Sequence, residues 1–287
     1  MKKWNNGFGF QGGLTGTARL ISSLNNDIVK FVASLQTKKG RDETKLFIAE
    51  GVRLAAEAAA SGWQVEACFY TDEAAANDAA YRVLAAIINQ GGKAWQVTPA
   101  VLRKMAETET PQGLLAVVRQ RRYTLDVLME LPCGLVVVLD GLQNPGNVGT
   151  VIRNADAAGC DAVLLTAGCA DVFSGKAVRA SMGSVFHLPI VADLKAEEIG
   201  QILSKRGFRV IVSLPHAERD YLSEDYRGPV AIVFGSEARG VSGAISQKHT
   251  TVSLPLYGRA ESLNVAAASA VLLYEAARQR HVRRPSV

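Results

Sequence analysis

The sequence predicts an α/β protein, with a mostly parallel-sheet domain from residue 133 onward preceded by a smaller α/β domain. Three observations predict it. Short apolar runs alternate with helix-patterned stretches through both halves of the chain. In the second half the apolar runs are continuous, as in GLVVVLDGL and VAIVFG, which marks strands covered on both faces. The loops after these runs are rich in Gly and Asn, as expected where parallel strands hand over to helices.

The elements follow in order. Residues 1–18 are Gly- and Asn-rich without an apolar core and read as a flexible tail, not a signal peptide. Residues 22–35 carry Leu24, Ile28, Val29, Val32 and Leu35 at helical spacing. A polar run, QTKKGRDETK, follows. LFIAEG reads as a strand, and VRLAAEAAASG as a helix ending at Gly62, a natural C-cap. VEACFYT, AWQVT and GLLAVV are further strands, separated by an alanine-rich helix through Ile88 and the helix PAVLRKMAE. The small domain therefore spans 19–122, a linker 123–132, and the large domain 133–287. In the large domain GLVVVLDGL leads through QNPGN into the helix VGTVIRNADAAG. DAVLLT, RVIVSL, VAIVFG and TVSLPL are strands, SGKAVRASMG is helical, and SLNVAAASAVLLYEAARQR is a long final helix.

Bulk properties narrow the function. No uncharged apolar run approaches the roughly 18 residues that span a bilayer, so the expectation is a cytoplasmic protein without a membrane partner. Residues 1–122 carry 16 Lys and Arg against 11 Asp and Glu, whereas 123–287 carry 16 of each. The whole net charge of +5 thus lies in the first domain, which points to a module that touches a polyanion. Lys38, Lys39, Arg41, Lys45 and Arg53 are its candidate contacts to such a polyanion, by phosphate neutralisation. Cys68, Cys133, Cys160 and Cys169 show no metal-site spacing and read as small buried hydrophobes. With His187, His216, His249 and His281 equally scattered, no metal is expected.

Three loops carry the chemistry: LDGLQNPGNVGTVIRNADAAG at 139–159, VFGSEARGVS at 233–242 and SLPLYGRAESLNVAAASAVLLYEA at 253–276. Gly141, Gly146 and Gly149 have the wrong intervals for a dinucleotide fingerprint. No P-loop, nucleophile-elbow or zincin string occurs. Together the loops resemble the three motifs of the SpoU/TrmH family of RNA 2′-O-ribose methyltransferases, through Asn147 and Arg153, Gly235 and Glu237, and Ser262 and Asn264. GRDETKLFIAEGVRLAAEA and TETPQGLLAVV resemble the family's substrate-binding domain.

That resemblance implies a SPOUT-type catalytic domain with a C-terminal trefoil knot, an L30e-like N-terminal domain, a homodimer, and S-adenosylmethionine as cofactor. It implies cofactor contacts at Gly235, Leu254, Leu256, Leu263 and Leu214, and a catalytic set of Arg153, Asn147, Glu237, Ser262 and Asn264. Core packing is the plain alternative for the leucines, and the N-cap of the last helix is the plain alternative for Ser262. Family resemblance casts the arginine as a general base. A guanidinium holds its proton at neutral pH, so the residue chemistry favours a charged Arg153 that orients a phosphate and stabilises a developing alkoxide. Ribosomal RNA of the large subunit is the expected substrate. The rivals are transfer RNA, or a non-catalytic RNA-binding assembly factor on the same fold.

Overall fold

The structure is a computed structural model that describes residues 20–130 and 134–281. The tail, Cys133, the end of the linker and the residues after His281 lie outside the described residues. The described residues form two compact units, 20–121 with Phe173–Phe186, and 122–172 with 187–281.

The first unit contains α1 (Asp27–Ser34), α2 (Lys38–Thr44), β1 (Leu46–Glu50), α3 (Val52–Ala60), β2 (Val65–Tyr70), α4 (Asp72–Ala75), α5 (Asp78–Asn89), β3 (Lys93–Gln96), α6 (Pro99–Met105) and β4 (Leu114–Arg119). Its sheet has the order β1-β4-β2-β3, antiparallel except for β2 with β3. Val29, Val32, Phe69, Leu102, Leu115 and Val117 lie in one of its cores. The polar run after α1 is helical, because Thr37 caps it by accepting from the Gly40 N–H and Lys45 ends it in the left-handed region, with φ 59°. The alanine-rich helix is two helices, interrupted at Asn77, whose side chain caps the second.

The segment Phe173–Phe186, which includes α8 (Gly175–Ser181), also belongs to this first unit. Phe173 and Phe186 stack around Phe47 and Trp63, with ring centroids 4.8–6.3 Å apart. Arg179 reaches Glu107 at 3.3 Å and Glu50 at 3.7 Å. The compact units thus depart from chain order at this helix.

The second unit is built on β5 (Leu135–Asp140), α7 (Pro145–Ala157), β6 (Ala162–Thr166), β7 (Ile190–Leu194), α9 (Ala196–Lys205), β8 (Arg209–Ser213), β9 (Val230–Gly235), α10 (Gly243–Ser246), β10 (Thr250–Val252) and α11 (Val265–His281). Its six strands are all parallel, in the order β10-β8-β9-β5-β6-β7. β5 and the first five residues of β9 are buried throughout, as their unbroken apolar runs require. β7 and α9 have no counterpart in the sequence-based reading. α11 packs on α7 and touches β9. Among the described residues no helix is long and apolar enough to cross a membrane.

Candidate active site

The site lies beyond the carboxyl ends of β8, β9 and β10, where a parallel sheet presents its loops. β9 ends at Gly235 and turns back sharply. The Ser236 N–H donates to the Gly240 carbonyl at 3.1 Å, and the Gly240 N–H returns a bond to Ser236 O at 2.8 Å. Gly240 closes the turn at φ +64°, a backbone region that favours glycine. This hairpin brings the Gly240–Val241 backbone so close that a Cβ on Gly235 would lie 2.2 Å from the Gly240 carbonyl carbon. Glycine is needed at 235 because main chain meets main chain there.

A buried carboxylate holds this loop from below. Asp140, at the end of β5, accepts from the Ser242 N–H at 2.7 Å and from the Thr166 hydroxyl at 2.9 Å. Thr166 in turn accepts from the Gly141 N–H at 2.9 Å. Asp140 is not among the site residues that the motifs supply, although a carboxylate closing the apolar run VVVLD is a visible local signal. Asp140→Ala is expected to lower stability by about 2 kcal/mol, because the buried Thr166 hydroxyl and the part-buried Ser242 N–H would lose their acceptor. Urea unfolding checks this. An unchanged midpoint would mean that the loop stands without the carboxylate.

The first loop enters the helix earlier than its sequence pattern predicts. Asn144 caps α7 by accepting from the Gly146 N–H, and Pro145 occupies the first turn. Asn147 therefore projects from a helix and not from a loop. Its amide donates to the Glu237 carboxylate and accepts from Asn264 Nδ2 at 3.4 Å. Asn264 Oδ1 also accepts from the Ala266 N–H at 2.9 Å. Asn264, not Ser262, is thus the residue that caps α11, and the N-cap alternative for Ser262 falls. One hydrogen-bonded chain, Glu237–Asn147–Asn264, joins all three loops.

Between the second and third loops lies a pocket of about 160 Å³. Leu214, Gly235, Leu254, Leu256 and Leu263 line it, together with Glu237 and Ser262. Among the described residues Glu237 is the one charged group in that lining. Apolar walls with one carboxylate fit a ligand that has a flat apolar part and a positive charge, and offer no cation to a polyphosphate.

Arg153 stands apart from this constellation. It lies six residues after Asn147 on α7, about 9 Å along the axis. Its side chain is exposed and does not line the pocket.

The basic candidates of the first unit also separate. Lys38 pairs with Asp42 at 2.7 Å and Lys39 with Glu43 at 3.9 Å, both as exposed i,i+4 pairs on α2. Arg53 is exposed on α3, and Lys45 is half-buried at the end of α2. Arg41 departs from that expectation. It is 4% exposed, and its guanidinium donates to Leu35 O at 2.8 Å and Gln36 O at 2.9 Å. Its charge ties α2 to the end of α1 and does not face an RNA.

Burial pushes the thiols of Cys68 and Cys160 up to about 12, and raises that of Cys169 as well. Neutral thiols of this kind are poor nucleophiles and poor ligands. Among the described residues no group of three or more His, Cys, Asp or Glu is arranged to hold a metal ion.

Comparison with known proteins adds a second line. Residues 134–274 match the SpoU rRNA Methylase family, and residues 26–116 match an MRM3-like substrate binding domain. The 23S rRNA (guanosine(2553)-2′-O)-methyltransferase RlmP of Bacillus subtilis is 35% identical, over 88% of this chain and 97% of the relative. The 23S rRNA (uridine(2479)-2′-O)-methyltransferase of Streptomyces viridochromogenes is 31% identical, over 94% of this chain and 96% of the relative. Among solved structures, the AdoMet-bound rRNA methyltransferase from Sinorhizobium meliloti superposes with a TM-score of 0.79 at 32% identity, over 91% of this chain and 97% of that one.

Proposed function

The chain belongs to the SpoU rRNA methylase family, and from that premise we propose that its pocket binds S-adenosylmethionine and serves a ribose 2′-hydroxyl of 23S ribosomal RNA. It is an RNA ribose-2′-O-methyltransferase that depends on S-adenosylmethionine. The observation that carries the assignment of the pocket is its lining, leucines with a single carboxylate, which suits a cofactor that pairs a flat adenine with a cationic sulfur. Bound there, S-adenosylmethionine supplies a methyl group made electrophilic by its sulfonium.

The chain's own residues do the rest. Leu214, Leu254, Leu256 and Leu263 exclude water from the pocket, and Gly235 lets the hairpin backbone form its wall. Glu237 sets a negative charge at the pocket, and Asn147 fixes that carboxylate by donating to it. Ser262 and Asn264 are assigned to positioning the ribose. Arg153 is assigned as the charged group that orients a phosphate and stabilises negative charge on the ribose oxygen as its proton leaves. Lys38, Lys39, Lys45 and Arg53 are assigned to RNA phosphates, and the first unit to an L30e-like RNA-binding domain. We assign the enzyme to the cytoplasm, a reading that an RNA substrate of this kind supports.

We further infer a homodimer. Ala267, Val271, Tyr274 and Arg278 form an exposed stripe along α11 at helical spacing, with Val271 and Tyr274 well exposed for their size. Tyr274 shares a groove with Ala157, which lies one turn beyond Arg153 on α7. Pairing of this face with a second copy would cover the stripe and carry Arg153 toward the partner's site. A trefoil knot is the remaining expectation. The return of the chain from β10, at the sheet edge, to α11 against α7 and β9 supports it.

S-adenosylmethionine at a hundred times its Kd is expected to raise the melting temperature by about 5–10 °C, and dinucleotides not at all. Incubation with tritiated cofactor and unmodified RNA, ribosomal and transfer fractions kept apart, tests the reaction. Label in alkali-resistant dinucleotides from ribosomal RNA is the expected result. Label confined to transfer RNA would overturn the substrate assignment, and no label in either would overturn the catalytic one.

A further inference from the structure

The third loop does more than wall the pocket. Between Leu254 and Leu256 on one side and Ser262 and Leu263 on the other, its tip carries Tyr257, Gly258, Arg259, Ala260 and Glu261, all exposed. Tyr257 is 95% exposed, well above the 57% of Leu222 and the 56% of Tyr274. An aromatic ring held almost wholly in water forgoes the burial that normally makes it useful. Among the described residues neither Tyr257 nor Arg259 has a hydrogen bond, ion pair or ring contact to fix it. The two are spaced so that one presents a π-face and the other a cation, at the rim of the pocket where the methyl group is delivered.

We propose that Tyr257 is a stacking platform for a base of the RNA substrate beside the ribose being methylated, with Arg259 engaging the adjoining phosphate. A proposal of this kind rests on the assignment of the pocket as the methyl-transfer site. Single-stranded RNA is read by aromatic rings on which splayed bases stack, and by cations that follow its backbone. A 2′-hydroxyl offered by a nucleotide in a single-stranded loop or bulge comes with an unstacked base, and that base or a neighbour's then needs a new stacking partner. Tyr257 offers a ring with both faces open. The pocket lining does not include it, so its loss leaves the cofactor's walls in place.

The test uses the full chain with a 23S ribosomal RNA transcript, and compares Tyr257→Ala, Tyr257→Phe and Arg259→Ala. Tyr257→Ala is expected to weaken both the KM and the directly measured Kd for the transcript about tenfold, while the thermal shift with S-adenosylmethionine is unchanged. Tyr257→Phe restores affinity, since a phenyl ring stacks as well. Arg259→Ala lowers the slope of log Kd against log salt by about one. Wild-type RNA affinity in Tyr257→Ala overturns the proposal. So does a lost cofactor shift, which would make the tyrosine part of the pocket's structure, or a lower sedimentation mass, which would make it a contact between copies. A wild-type protein that binds the transcript without methylating it would sink the methyltransferase assignment, while the Kd comparison still decides the stacking role.

Discussion

Replacing Gly235 by alanine is expected to abolish the thermal shift produced by S-adenosylmethionine and to reduce methyl transfer below detection. The added carbon would sit 2.2 Å from the Gly240 carbonyl carbon and 2.4 Å from the Val241 nitrogen. Both are main-chain atoms, so no side-chain rotation relieves the overlap. The hairpin would have to swing away, breaking the paired bonds between Ser236 and Gly240 and pulling Ser242 from Asp140. The same movement displaces Glu237 from Asn147. Overpacking of this kind costs about 1–3 kcal/mol in the free protein, so the variant should fold with a lowered melting temperature and no response to cofactor. A shift of wild-type size would show that the hairpin yields, and that the pocket does not depend on this close approach.

Arg153→Ala is expected to lower kcat by about a thousandfold, within the range for loss of a charge-stabilising group, with the cofactor shift intact. The second part follows from position: Arg153 is outside the pocket lining and exposed on α7. Its distance from the Glu237–Asn147–Asn264 chain makes a stronger test possible. If each Arg153 serves the partner's pocket, mixing Arg153→Ala with Gly235→Ala subunits restores about a quarter of the wild-type rate. Half of the randomly exchanged dimers are then mixed, and each mixed dimer carries one complete site. If Arg153 serves its own pocket, no mixed dimer has a complete site and the rate stays at background. Arg153→Lys keeps the charge but loses the planar fork, and should recover only part of the activity.

Much of the fold was legible because the signals are local. Continuous apolar runs marked β5 and β9, and alternation marked the α/β class in both halves. Two helix starts that apolar spacing misses also carry local signals. Asn144–Pro145 is a cap followed by a residue suited to a first helical turn, and it starts α7 three residues earlier than apolar spacing alone predicts. Thr37 likewise starts α2 inside a run that looked merely polar. β7 is harder to see, since only its first two residues are buried and Asp193 adopts φ 61°.

By itself the sequence determined the class of fold, the three Gly- and Asn-rich loops and the residues that resemble a methyltransferase's motifs, because these depend on neighbours within a few positions. Tertiary structure alone decided how those residues meet. Asn147 reaches Glu237 across 90 residues of chain, Asn264 reaches Asn147 across 117, and Ser242 reaches Asp140 across 102. It also decided that Arg41 spends its charge on two carbonyls and that Arg153 lies outside the pocket lining of its own chain. The physical reason is that caps and periodicity act within one or two helical turns, whereas these contacts follow from a strand order that sets β5 beside β9.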